Sequence, residues 1–168
     1  MSLSQRAAPG ASRPADLAAL AGLLAVSAAA AGWGAAATLA NVATWYAGLA
    51  KPAFNPPNWL FGPAWTVLYI AMAVAAWRVW RTRSRGPVGP ALVVYGVQMA
   101  LNAVWSPVFF GLHRVGLALA DILALLVMVA VTLVMFWKRD RVAGALMAPY
   151  LAWVCFATLL NFAIWRLN

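Results

Sequence analysis

Trp65 and Tyr69 stand four residues apart, a spacing that puts both rings on one face of a helix. Gln98 and Asn102 repeat that spacing with Trp105 close behind, and Trp153 and Ala157 repeat it again nearer the C-terminus. If the three faces meet, they enclose a pocket with flat aromatic walls and a few amide donors and acceptors. Such a pocket suits a large, planar, mostly apolar ligand. The plainer alternative is that Gln98, Asn102 and Asn161 simply hydrogen-bond neighbouring helices, as amides inside membranes do.

Other chemistry has few parts to work with. The chain holds three acidic residues, one histidine and one cysteine. It contains no metal-ligand cluster, no nucleophile elbow and no glycine-rich phosphate loop, so no metal site is expected and hydrolysis is poorly served. A proton pump would need more buried titratable groups. Asp121, inside an apolar run, is a functional candidate because an intramembrane carboxylate is costly, although packing, hydrogen bonding or protonation is enough to explain it. His113 can ligate haem iron, but a solvated interfacial imidazole is the simpler reading. Cys155 excludes an intrachain disulfide and reads as a small buried filler.

The elements that position these residues follow from composition. Of 168 residues 65% are hydrophobic and 9% charged, and the mean hydropathy is +0.83. A soluble domain of this size has no core large enough for so much apolar surface, which makes the bilayer the solvent. The net charge of +9 does not point to nucleic acid, because the 12 Lys and Arg sit almost entirely between apolar runs, where they serve topology and anionic headgroups.

The expected fold is an all-α membrane protein, a bundle of five transmembrane helices. Residues 1–15 read as a disordered tail, with Asp16 placed to cap the first helix. One domain then covers 16–168, with spans at about 17–39, 59–80, 91–110, 115–137 and 142–165. The first run competes with a cleaved signal peptide but is too long for a typical signal core. Residues 45–58 form a lid loop. Pro52, Pro56 and Pro57 remove donors and fix φ, so Lys51 to Pro57 must be stiff and extended.

An odd number of spans puts the termini on opposite sides. Arg6, Arg13, Arg78, Arg81, Arg83, Arg85, Lys138, Arg139 and Arg141 fall on the N-terminal side, against Lys51, Arg114 and Arg166 on the other. In an inner membrane this bias places the N-terminus in the cytoplasm. Of the ten tryptophans, Trp59, Trp77, Trp80, Trp137 and Trp165 lie near span ends and read as interfacial anchors. Gly96 and Ala100 make a small-xxx-small pair that permits close helix contact, as in a homodimer.

The segments WYAGLAKPAFNPPNW, FGPAWTVLY, QMALNAVWSPVFFGLHR, ALAD and PYLAWVCFATLLNFAIWR, running from Trp45 to Arg166, resemble the TspO/MBR family of tryptophan-rich sensory proteins and translocator proteins. The resemblance implies five membrane helices, often dimeric, and binding of tetrapyrroles such as protoporphyrin or haem as ligands, with no tightly held cofactor. By motif, the family pocket corresponds to Trp65, Tyr69, Asn102, Trp153 and Ala157. The family's cholesterol-recognition region corresponds to the end of the fifth span, where Phe162 replaces the expected tyrosine and Arg166 is kept. That replacement weakens a sterol role. The implied function is a membrane tetrapyrrole sensor or regulator of bacterial type. Transport of porphyrins or other lipophiles is the alternative, as is light-dependent porphyrin degradation with Trp65 and Trp153 as redox partners.

Overall fold

The computed structural model describes residues 13–168. Six α-helices appear among them: α1 (Arg13–Asn41), α2 (Trp45–Gly48), α3 (Asn58–Arg81), α4 (Gly89–Ser106), α5 (Val115–Arg139) and α6 (Arg141–Leu167). All but the one-turn α2 are long and apolar enough to cross a membrane, which is the number expected. The protein is a multi-pass integral membrane protein.

Several boundaries differ from those read in the sequence. Residues 13–15 are helical as part of α1, and the rest of the expected tail lies outside the described residues. Asp16 therefore does not cap α1. It sits in the first turn and pairs with Arg83 at 2.8 Å and Arg81 at 3.7 Å. The lid loop contains the α2 turn, while residues 50–57 are non-helical, as the prolines demand. The turn between α5 and α6 is a single residue, Asp140, rather than the four residues 138–141 left between the expected spans.

The helices pack as a closed ring in the order α1, α3, α6, α5, α4 and back to α1. Near the basic end the ring is filled by Met72, Ala76, Val79, Val129, Phe136 and Met147, all fully buried. Helix α1 contributes little to this filling. Its composition is largely Ala and Gly, and Ser27 is its one buried residue. A helix that turns mostly small residues inward, with Trp33 exposed on its outside, closes a ring without plugging it, and the opposite end of the bundle is left hollow.

Two aspartates hold the basic end together. Trp77 Nε1 donates to the Asp16 carbonyl at 2.8 Å, which ties α3 to α1. Trp77 is thus an interhelical clamp as well as an interfacial residue. Asp140 accepts from Arg78 Nε at 3.2 Å and Arg78 Nη2 at 2.9 Å, and caps α6 by accepting from Ala143 N at 2.9 Å. Burial by itself raises the Asp140 carboxyl, but the Arg78 guanidinium and the Ala143 and Val142 amides together hold it below its ordinary value. A depressed carboxyl stabilises the fold above its unfolded-chain value, and that stability disappears as pH falls through the folded one. Asp140→Ala is expected to cost about 1 kcal/mol at neutral pH, the usual worth of a helix cap. In detergent melts the gap to the native chain should close below about pH 4, where the unfolded carboxyl takes up its proton. A gap that persists at low pH would show that the ion pair contributes nothing.

Candidate functional site

The hollow end of the ring is a cavity of about 670 Å³. Its floor and far wall come from α3, α4 and α6. Trp65 and Tyr69 share a face of α3, with ring centroids 5.5 Å apart. The edge of Trp65 meets Trp153 of α6 at 6.3 Å and 80°. Phe61 meets the other side of Trp153 at 6.0 Å. Aromatic pairs favour these edge-to-face arrangements, so each ring fixes the plane of the next.

The third aromatic wall depends on a local departure from α-helix. Pro107 has no N–H to give to the α4 ladder, and residues Pro107–Gly111 wind as a π-helical turn instead. The turn carries Phe109 and Phe110 into the bundle, where both are buried. Trp105 stacks on Phe109 at 5.0 Å and 21°, and its indole donates to Asn161 Oδ1 at 3.1 Å. Asn161 Nδ2 in turn donates to the Val115 carbonyl at 3.0 Å, locking α6 to the start of α5.

Helix α1 supplies the near wall through small residues, among them Ala31, Gly34, Ala35 and Thr38. The lid closes the end. Tyr46 is buried, lines the cavity and donates to Asn55 Oδ1 at 2.7 Å. Desolvation pushes its hydroxyl up to about 12, so it stays protonated at any working pH. The Asn168 side chain clips the loop by bonding both Ala50 N and Ala50 O, at 3.0 and 3.1 Å. No residue lining the cavity carries a formal charge.

All five residues expected to form the pocket, Trp65, Tyr69, Asn102, Trp153 and Ala157, line this one cavity. Asn102 also realises the plainer alternative. It accepts from the Tyr69 hydroxyl and donates to Tyr150 oxygen at 2.8 Å, so one amide both lines the cavity and bolts three helices together. Gln98 is fully buried behind the wall, not in it. Asp121 makes no ion pair with Arg114, and its Oδ2 has no partner among protein groups. His113 lies outside the cavity, stacked on Trp45 at 4.2 Å with its ring nitrogen 3.3 Å from Asn41 Oδ1.

Gly96 and Ala100 lie on the outer surface of α4, with nothing near Gly96. Phe162 and Arg166 are exposed on the outside of α6, and Cys155 is also exposed there, contrary to its expected burial. Sequence reasoning missed Tyr46, Phe61, Phe109, Phe110, Leu160 and Ile164 as lining residues. Phe61 stands four before Trp65, a helical spacing that extends the same face and was legible.

Residues 21–166 match the TspO/MBR family model. The chain is 46% identical over 124 residues to the tryptophan-rich sensory protein of Cereibacter sphaeroides, covering 74% of this chain and 77% of that one. It is 42% identical over 127 residues to the human translocator protein, covering 74% and 75%. It is 40% identical over 136 residues to protein CrtK of Rhodobacter capsulatus, covering 80% and 85%. A five-helix ring with an aromatic cavity beneath a proline-rich lid, matched along nearly its whole length, belongs to the TspO/MBR family.

Proposed function

We propose that the cavity binds a planar, mostly apolar tetrapyrrole, of the protoporphyrin or haem type, and that the protein senses or regulates such molecules in the membrane. The observation that carries this reading is the uncharged cavity of about 670 Å³ walled by Trp65, Trp105 and Trp153. That volume falls in the range of small-molecule sites, and indole planes offer large stacking area at little entropic cost. One relative bears the name of a sensory protein, which agrees with a binding role. Titration of the detergent-purified protein with protoporphyrin tests it through tryptophan fluorescence. Saturable quenching is expected, and its absence would overturn the reading.

A transport reading draws on a different observation. Leu39, Trp59, Gly62 and Thr66 line the cavity and are also exposed on the outside of the bundle, so the cavity opens sideways between α1 and α3. A lipophile can enter there from the bilayer. Porphyrin flux into sealed proteoliposomes above that of protein-free vesicles would favour transport over sensing.

The charge bias supports a cytoplasmic N-terminus in an inner membrane. On a Cys155→Ala background, Ala53→Cys in the lid should react with an impermeant maleimide in intact cells. Ser84→Cys should react only after permeabilisation. The reverse pattern would invert the topology.

A further inference from the structure

A second hollow, of about 610 Å³, lies where the lid, the start of α5 and the end of α6 come together. It shares no lining residue with the aromatic cavity. One wall is the Trp45 indole with the His113 ring stacked flat on it, 4.2 Å away and 16° from parallel. The edge contact of Trp45 with Phe109, at 5.6 Å and 72°, fixes that wall to the bundle. The opposite wall is Trp165, whose indole lies against Gly116: a Cβ there would stand 3.1 Å from its Nε1. The absent side chain of Gly116 is thus what lets the indole of α6 reach across to α5.

Arg114 lines this groove and is exposed. Among the described residues its guanidinium makes no ion pair and no ring contact. The other cation of the lid region is already engaged, since Lys51 Nζ donates to the Ala47 and Leu49 carbonyls at 3.0 and 2.9 Å and lies over the Tyr46 ring. Asp16 and Asp140 are bound to arginines at the far end of the bundle, and no acidic side chain lines the groove.

We propose that the groove binds a net-anionic phospholipid of the surrounding bilayer, with the phosphate on Arg114 and the glycerol and upper acyl carbons along Leu49, Leu117 and the two indoles. A guanidinium presents a planar fork of donors that matches two phosphate oxygens. The groove sits at the ends of two membrane spans, the level at which headgroups meet hydrocarbon and tryptophan is favoured. Its outer wall is apolar and open, with Leu117 61% and Trp165 47% exposed. Acyl carbons cover such a wall, whereas a free phosphate ion leaves it bare. A zwitterionic head would bring an ammonium group beside Arg114 with no carboxylate to receive it, so charge selects the anionic lipid. Interfacial anchoring accounts for each indole singly, but not for a hollow between them that holds an unpaired cation. The proposal stands whether or not the aromatic cavity takes a tetrapyrrole.

The test is photo-crosslinking of the full chain in vesicles of phosphatidylcholine carrying a minor fraction of phosphatidylglycerol with a diazirine high on one acyl chain. Peptide mapping reads the label at residues 113–117 and 165–168 alone, which separates the groove from the arginines of the basic end. Arg114→Gln should cut labelling there about fivefold, the worth of one basic side chain at an anionic surface, and Arg114→Lys should restore most of it. Arg166→Gln, at the same end but outside the groove, should leave it unchanged. Diazirine-bearing phosphatidylcholine should label these segments several-fold less. Labelling undiminished in Arg114→Gln, or equal from the two lipids, would overturn the proposal. So would its loss on adding inorganic phosphate at matched ionic strength, which would make the groove a site for the free ion.

Discussion

Replacing Trp153 by alanine is expected to weaken protoporphyrin binding about 30-fold, a loss of about 2 kcal/mol of the size seen when a central aromatic anchor is truncated. Trp153 is the hinge of the aromatic wall. Its ring touches Trp65 at 6.3 Å, Phe61 at 6.0 Å and Phe156 at 5.7 Å. Removing it takes away one stacking surface and frees Trp65 from the edge contact that sets its plane. Trp153→Phe keeps an aromatic plane and should lose only about threefold, well under 1 kcal/mol. Fluorescence quenching on the alanine and phenylalanine variants orders them. Equal affinity in all three proteins would remove Trp153 from the binding surface, whatever the native affinity.

Gly144→Ala should be the most destabilising single methyl group in the bundle, at about 1–3 kcal/mol, the usual cost of overpacking. A Cβ at Gly144 would lie 2.7 Å from Trp137 Cα, Cβ and Cε3. Two of those atoms are fixed to the α5 backbone, so rotation of a side chain gives no relief and α5 must part from α6. These two helices form the most extensive pair in the ring and are joined by one residue, which leaves little slack. Gly96→Ala is the matched control. Nothing lies within 4 Å of its Cβ position, and the gain in helix propensity, up to about 1 kcal/mol, should leave it as stable as the native chain or more so. Thermal unfolding of both variants in one detergent tests the pair, and equal melting temperatures would refute the close α5–α6 approach.

The pocket residues were legible because each pair repeats at four residues, and helical geometry alone puts such pairs on one face. Trp65 with Tyr69, and Trp153 with Ala157, needed no tertiary information to be grouped. The π-helical turn was less accessible. Pro107 signals a break in the ladder, but whether a broken helix stops, kinks or widens depends on what it packs against, so the inward turn of Phe109 and Phe110 had no local signature. The interfacial assignment of Trp77 was incomplete for a related reason. Its indole bonds a backbone carbonyl of α1, a partner distant in the chain.

Asp16 and Asp140 show the same division. Asp16 has the residue type and position of a cap, yet the guanidinium groups of Arg81 and Arg83 hold it inside the first turn. Asp140 is a cap, the only residue of cap type in a run of four charged residues, but its pairing with Arg78 joins it to a helix 62 residues away.

By itself the sequence determined that this chain lives in a bilayer, crosses it five times and carries a stiff proline-rich cover, because hydropathy and the φ of proline act within a few residues. Tertiary structure alone decided the ring order of the helices, the hollow beside the small-residue wall of α1 and the hydrogen bonds that join Tyr69, Asn102 and Tyr150. A helix made largely of Ala and Gly encodes no strongly preferred face, and a buried polar atom acquires its partner only when other helices arrive.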